Sequence, residues 1–187
     1  MHRLFFALDV PDSGRADVRA AADRALAAAP HARPVAPARY HLTLHFLGSF
    51  ATPQVDLVRR ASVAAACVVA PPFELVINRA GGFPRARVWW LGCETTPPGL
   101  DALHAALGNA LADAGISSHR HESFTPHLTI ARGATSAPRA LQISPIAWRV
   151  QSFVLLGSAS GDPHAARGYE ELGRWALDAP EPFSRAD

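Results

Sequence analysis

Apolar residues along this chain fall into short runs and helical repeats, punctuated by glycine and proline, and that pattern predicts most of its elements. Leu4–Val10 is an apolar run closed by Pro11 and reads as a strand. Asp12 or Ser13 is placed to cap a helix running to about Ala29, which Pro30 and Pro34 close. A strand at Tyr40–Leu47 ends at Gly48, and Thr52-Pro53 has N-cap and N1 character for a helix reaching about Val69. Phe73–Arg79 and Arg87–Cys93 read as a hairpin with a long loop, the turn-rich "AGGFPRA". Leu100, Leu103, Leu107 and Leu111 repeat at helical spacing within Pro97–Ala114, with Gly115 as the stop. Strands follow at His127–Ala131, Ala147–Leu156 and Tyr169–Leu177. The order β-α-β-α-β-β-α-β-β-β is a mixed α/β arrangement. No segment reads as a linker, so residues 1–179 are expected to form a single domain followed by a proline-rich tail at 180–187.

One strand departs from a simple core pattern. "YHLTLHFLG" at Tyr40–Gly48 places His41, Thr43 and His45 among leucines, and polar groups at alternate positions are costly unless they face water or a ligand. "FTPHLTIAR" at Phe124–Arg132 repeats its centre as His127-Leu128-Thr129-Ile130. Nine histidines and seven threonines in 187 residues give about 0.3 His-x-Thr matches by chance, so two matches with aliphatic neighbours in common point to an internal duplication. The two histidines stand 86 residues apart, close to half the chain, and each motif follows a predicted helix. Two lobes related by a pseudo-twofold axis would set the equivalent strands face to face across a cleft. Alternation then puts His41 and Thr43, and likewise His127 and Thr129, on one face, with Leu42, Leu44, Leu128 and Ile130 on the other.

Composition narrows the chemistry. Hydrophobic residues at 49% and charged residues at 18% are globular values, and the length suffices for a sizeable core. No apolar run approaches the ~18–20 residues that cross a bilayer, and the N-terminus shows no signal-peptide pattern, so a soluble cytoplasmic protein is expected. All 18 Lys+Arg residues are arginine. The missing lysine excludes Schiff-base chemistry, a P-loop lysine and a covalent lysyl-nucleotide intermediate, and with it an ATP-dependent ligase of that type. A net charge of +2 does not by itself call for long nucleic acid. Cys67 and Cys93 lie in apolar contexts and read as buried small hydrophobes, neither a disulfide nor a metal pair.

Two imidazoles on one face suit displacement at phosphorus. A neutral ring takes a proton from the nucleophile and a protonated ring gives one to the leaving oxygen, both states being accessible near an ordinary pKa of ~6.5. Threonine hydroxyls supply neutral donors to phosphate oxygens. A strained cyclic phosphodiester needs no metal for such a step.

These residues carry a resemblance. The paired "HLTL" (His41–Leu44) and "HLTI" (His127–Ile130) resemble the two-histidine (2H) phosphoesterase superfamily. With "RLFFALDVP", "RPV" at Arg33–Val35, "RVWWLG" at Arg87–Gly92, "PHLTIAR" and "RWAL" at Arg174–Leu177, the chain is similar over residues 3–177 to bacterial RNA 2′,3′-cyclic phosphodiesterases, also called 2′-5′ RNA ligases. The resemblance implies a bilobal, pseudo-twofold α+β fold, with mixed or antiparallel sheets, helices on the outer faces and both motifs in a central cleft. It implies metal-free, cofactor-free hydrolysis of an RNA 2′,3′-cyclic phosphate end to a 2′-phosphomonoester by a monomer. His41 would protonate the departing 3′ oxygen, His127 would activate water, Thr43 and Thr129 would hold the phosphate, and Arg132 would contact RNA or phosphate. The reversible 2′-5′ ligation of the family would be the same step with an RNA hydroxyl in place of water.

Other polar positions are less patterned. Alternation places His45 on the His41 face, where relatives often carry a small residue; a metal set of His41, His45 and His127 lacks an accompanying carboxylate or cysteine, and a structural or peripheral role is the expectation. Arg132 falls by strict alternation on the Leu128 face, so contact with substrate requires the strand to end or twist there. Phe46 is expected in the core, and Trp89 and Trp90 on opposite faces, both as packing. His119-x-His121 reads as a polar loop. Two further readings keep the same residues: a phosphodiesterase for a small cyclic nucleotide or cyclic-phosphate metabolite, and a non-catalytic module that binds RNA ends.

Overall fold

The computed structural model describes residues 1–27, 31–117, 124–134, 141–159 and 168–178. His119, His121 and the predicted tail lie outside them. The elements run β1 (His2–Asp9), α1 (Asp12–Leu26), β2 (Arg33–Pro34), a 3₁₀ turn (Pro37–Arg39), β3 (His41–Phe50), α2 (Val55–Ala66), β4 (Phe73–Phe83), β5 (Val88–Gly92), α3 (Pro98–Asp113), β6 (His127–Arg132), β7 (Leu141–Val150), β8 (Ser152–Ala159) and β9 (Glu170–Ala176). All strand pairs are antiparallel, in the order β7-β4-β5-β6-β3-β1-β8-β9, with β2 also alongside β6.

The expected two lobes are two four-strand halves of one sheet. They join where β3 meets β6, through a single opposed pair, Leu42 and Leu128. The motif strands therefore meet edge to edge rather than facing each other across a gap. The sheet also curls back on itself. β7 ends one side of the order and β8 lies next to the last strand of the other, yet only Gln151 separates them in the chain. The predicted strand Ala147–Leu156 is thus two strands, because the chain changes halves at that residue. Gln151 offers its carbonyl to the Leu177 amide at 2.8 Å, which ties the crossover to the end of β9.

All three helices cover one face of the sheet. Leu100, Leu103, Leu107 and Leu111 of α3 are fully buried, as their spacing predicts, and they join Leu42, Leu44, Leu128 and Ile130 in the main core. Val18, Ala21 and Ala22 of α1 and Ala61 and Ala65 of α2 enter the same core. α3 ends at a glycine as expected: Gly115 has φ +66°, and the Ile116 amide donates back to Leu111 O at 2.8 Å. α2 starts at Val55 with Gln54 as its cap, two residues beyond the Thr52-Pro53 expectation.

The opposite face carries a smaller apolar group, Phe5, Ala7, Val154 and Leu156, with Phe46 and Tyr169 against it. β1 is buried on both sides for this reason: Leu4, Phe6 and Leu8 face the helices, Phe5 and Ala7 the other way.

Two local expectations fail in instructive ways. "AGGFPRA" is not a long loop: β4 continues to Phe83, and Gly81 and Gly82 lie opposite Trp90 and Trp89. Gly81 makes room for an indole, since a Cβ there would lie 2.4 Å from the Trp90 ring. The turn is then Pro84–Arg87, closed by Arg87 N–H to Pro84 O at 3.1 Å, with Arg87 at φ +54°. Cys67 is exposed at the C-cap of α2, because its position falls past the buried stripe of that helix; Cys93 is half-buried, and burial pushes its thiol up to about 11.

Candidate active site

A local irregularity shared by β3 and β6 builds the site. In the β1–β3 ladder Phe6 opposes His45 and Ala7 opposes Thr43, so Leu44 is an extra residue. In the β5–β6 ladder Trp89 opposes Ala131 and Trp90 opposes Thr129, so Ile130 is the extra one. The fourth residue of each His-Leu-Thr-aliphatic motif is therefore a β-bulge, which reverses the facing of the two residues after it; in β3 a second shift, at Leu47, reverses it again. Burial takes the same course in both strands. His41, Thr43, His127 and Thr129 are half-buried, while Leu42, Leu44, Leu128 and Ile130 are buried along with the residue after each bulge, His45 or Ala131. The Val35 amide takes up the Ile130 carbonyl at 2.8 Å, so the second bulge leaves no orphan there.

The bulges correct three expectations based on unbroken alternation. His45 lies on the helix side, only 3% exposed, and its Nε2–H donates to the His104 carbonyl of α3 at 2.8 Å. Gly108 in the same helix leaves the space, as a Cβ there would be 3.0 Å from His45 Cε1. His45 therefore pins β3 to α3, and the set His41, His45 and His127 is not assembled. Phe46 turns to the site face and packs against the smaller group of Phe5, Ala7, Val154 and Leu156 rather than entering the main core. Arg132 turns to the side of His127 and Thr129, where alternation alone would have turned it away.

Register around Leu42–Leu128 sets His41 beside Thr129 and Thr43 beside His127. Each histidine is anchored in the same way. His41 Nδ1 lies 2.8 Å from Arg39 O, and His127 Nδ1 lies 2.8 Å from Thr125 O, the carbonyl two residues back in both cases. A carbonyl only accepts, so Nδ1 carries the hydrogen in both rings and Nε2 is the nitrogen that gains or loses a proton. Rings hold each imidazole in place. His41 sits 4.8 Å from Phe5 and 5.0 Å edge-on from Tyr169; His127 sits 4.9 Å edge-on from Phe83 and 6.4 Å from Trp90. Trp89 is in the main core, so the two tryptophans do point to opposite faces.

A cavity of about 540 Å³ opens on this face, bordered by His41, Thr129, Arg132 and Tyr169. Arg3, Arg33 and Arg39 complete its cationic wall, and none of the described residues that line it is a carboxylate. Thr43 and His127 share the face but are not among the lining residues. Arg33 stands directly opposite Arg132 across the β2–β6 pair, a like-charge juxtaposition that is unfavourable until an anion sits between them. The Arg39 guanidinium lies 4.5 Å from the centre of the Tyr169 ring, which orients it. Sequence reasoning assigned no role to Arg3, Arg33, Arg39 or Tyr169. Arg3 was legible, because it shares the parity of Phe5 and Ala7 in β1; Arg33 stood in "RPV" without a task; Tyr169 has no local signal.

The His41 pKa is lowered to about 4, first by burial and further by the positive fields of His127, Arg132 and Arg39, although its bond to Arg39 O opposes the change. Its ring is thus neutral at neutral pH in the unliganded site. Among the described residues, no group of three or more His, Cys, Asp or Glu side chains is placed to hold a metal ion. None of the described helices is long and apolar enough to cross a membrane.

Comparison with known proteins gives one answer at each level. The family model described as the 2′-5′ RNA ligase superfamily matches residues 9–162. An Escherichia coli K12 protein named RNA 2′,3′-cyclic phosphodiesterase is 36% identical over 184 residues, covering 94% of this chain and 96% of its own. A protein of the same name from Thermus thermophilus is 30% identical over 169 residues, with 83% and 81% covered. Among solved structures, E. coli LigT complexed with 3′-AMP superposes with a TM-score of 0.75 at 33% identity, covering 95% of this chain and 98% of that one. With a continuous family match across most of its length, and this fold, the chain belongs to the 2′-5′ RNA ligase superfamily.

Proposed function

We propose that the protein hydrolyses the 2′,3′-cyclic phosphate at an RNA end to a 2′-phosphomonoester. The observation that carries this reading is the pair of imidazoles, identically anchored through Nδ1 on adjoining strands, on the face where a cavity is walled by arginines. It is supported by the relatives named RNA 2′,3′-cyclic phosphodiesterase.

In this reading His127 Nε2 removes a proton from water as the water oxygen bonds to phosphorus. The P–O3′ bond breaks, and His41 Nε2–H gives its proton to the departing 3′ oxygen. Thr43 and Thr129 donate to the non-bridging oxygens, and Arg132 opposes the charge that grows on them. Orientation and fixed donors supply the rate, and no step calls for a metal or lysine. The same displacement with an RNA 5′ hydroxyl in place of water, forming a P–O5′ bond as the P–O3′ bond breaks, is 2′-5′ ligation, and its reverse regenerates the cyclic phosphate.

His41 must gain a proton to act as the acid. Its neutrality in the unliganded site comes from burial and the arginine field, and the substrate's negative charge opposes that field. Binding is therefore coupled to proton uptake at His41. The same lowered pKa supports a second assignment, in which His41 is the base, His127 the acid, and the P–O2′ bond breaks instead.

One assay separates these readings. RNA ending in a 2′,3′-cyclic phosphate is incubated with the protein, with and without EDTA, and the product end is identified. A 2′-phosphate made at equal rates is the expected result; a 3′-phosphate selects the second assignment, and loss of rate with EDTA overturns the metal-free step. Comparison with a cyclic mononucleotide tests the small-substrate reading, and tight binding without turnover would leave an RNA-end-binding module.

A further inference from the structure

The carbonyl that orients His41 belongs to a turn with little packing of its own. None of Pro37, Ala38 and Arg39 is buried, and internal bonds from the Arg39 and Tyr40 amides close the turn without fixing it to the sheet. A guanidinium from another element supplies that connection. Arg15 Nη1, in the first turn of α1, donates to Pro37 O at 3.0 Å. Its Nη2 donates to Asp9 Oδ1 at 2.9 Å, and its Nε to Asp12 Oδ1 at 3.0 Å. Asp9 is the β1 residue directly opposite His41. Arg15 thus joins the strand beside His41 to the turn whose carbonyl holds the His41 ring. The Asp9 and Pro37 arms are partly buried, whereas Asp12 is fully exposed and its arm counts for little.

We propose that Arg15 is a positioning residue for His41. It does not line the cavity and touches no reacting atom; its planar fork holds Pro37 O and Asp9 at once, and so fixes Arg39 O where it accepts the His41 Nδ1 proton. Without it, the turn relaxes, and the ring exchanges between tautomers, so that Nε2 carries the hydrogen for part of the time. The kinetic arm of the test rests on the proposed function; the tautomer arm does not.

The test uses Arg15→Met and Arg15→Lys in the full chain, with Asp12→Asn as a control for the exposed arm. Side-chain ¹⁵N shifts report the histidine tautomers directly. In the parent, neutral His41 is expected to show the Nδ1–H form; in Arg15→Met both its nitrogens move toward averaged values, while those of His127 stay put. For cyclic-phosphate hydrolysis, kcat is expected to fall roughly 10- to 100-fold with KM nearly unchanged, the scale of a misplaced catalytic group. Lysine, a point charge that cannot span both partners, moves both readouts the same way and carries the test if the methionine variant does not fold. Unchanged His41 shifts with full kcat in a folded variant would overturn the proposal. So would a rise in KM with kcat preserved, or an Asp12→Asn variant as impaired as Arg15→Met. Activity absent from the parent, with the tautomer change still seen, would fault the functional reading and leave Arg15's role standing.

Discussion

The two motif strands share a frame and differ in the residues just beyond it. β3 and β6 each set a histidine on a carbonyl two residues back, place a threonine on the same face, and bulge at the next aliphatic residue. Up to that point the two strands follow the same pattern of facing and burial. After it, the first half has His45 and Phe46 where the second has Ala131 and Arg132. His45 and Ala131 both turn inward, one bonded to α3 and the other simply small. Phe46 and Arg132 both turn outward, one against the Phe5 group and the other into the cationic wall. The carbonyl supports differ too. Arg39 O depends on a turn tied by Arg15, while the residue before Thr125, Phe124, stacks on His104 at 3.9 Å. A symmetric frame thus delivers two similarly anchored imidazoles, and the residues before and beyond it make their surroundings unequal. Acid and base must differ for one to give a proton while the other takes one.

Replacing the histidines is the strongest way to break the comparison. His41→Ala and His127→Ala should each lower kcat by about 10²–10⁴-fold while substrate binding is largely retained. Near-full activity in either variant would show that the frame's symmetry has no catalytic meaning.

Arg132→Met removes the outward residue that sets the second half apart. Loss of a charge-assisted contact should cost about 1.5–3 kcal/mol in kcat/KM. The His41 pKa should rise from about 4 toward its ordinary 6.5, because one of the cations lowering it is gone, yet stop short of it because burial, the largest cause, remains. A histidine NMR titration reads that shift. Addition of a 2′-phosphomonoester to the parent should move it in the same direction, and a fall would contradict the proton uptake assigned to His41.

His45→Ala makes the first strand resemble the second at its inward position. Stability should drop by about 1–3 kcal/mol, from the lost bond to His104 O and the space left against Gly108, with kcat unchanged. Denaturant melts and turnover on the same preparation check both halves of this expectation; a large fall in kcat would place His45 in the chemistry.

Much of the site was legible because it depends on short periods. The repeated His-x-Thr, the leucine spacing of α3 and the glycine stop all act within a few residues, and the structure bears out the elements they mark. The β4 glycines misled because the same residue that frees a turn also admits an indole from the neighbouring strand, and only pairing decides between them. Cys67 misled because an apolar neighbourhood in sequence does not say which side of a helix a residue takes.

By itself the sequence determined that two strands would each bury Leu and aliphatic side chains while turning a histidine and a threonine the other way. Period-two alternation and burial leave little choice over four residues. Only the tertiary structure decided the facing of the residues after them. A bulge exists through the register between strands, and no residue's own preference announces it. Register at Leu44 and Ile130 sent His45 into the helices, and brought Phe46 and Arg132 to the site. Curling of the sheet, with Arg3, Arg33 and Arg39 drawn from β1, β2 and a turn, then assembled a cationic wall from arginines scattered along the chain.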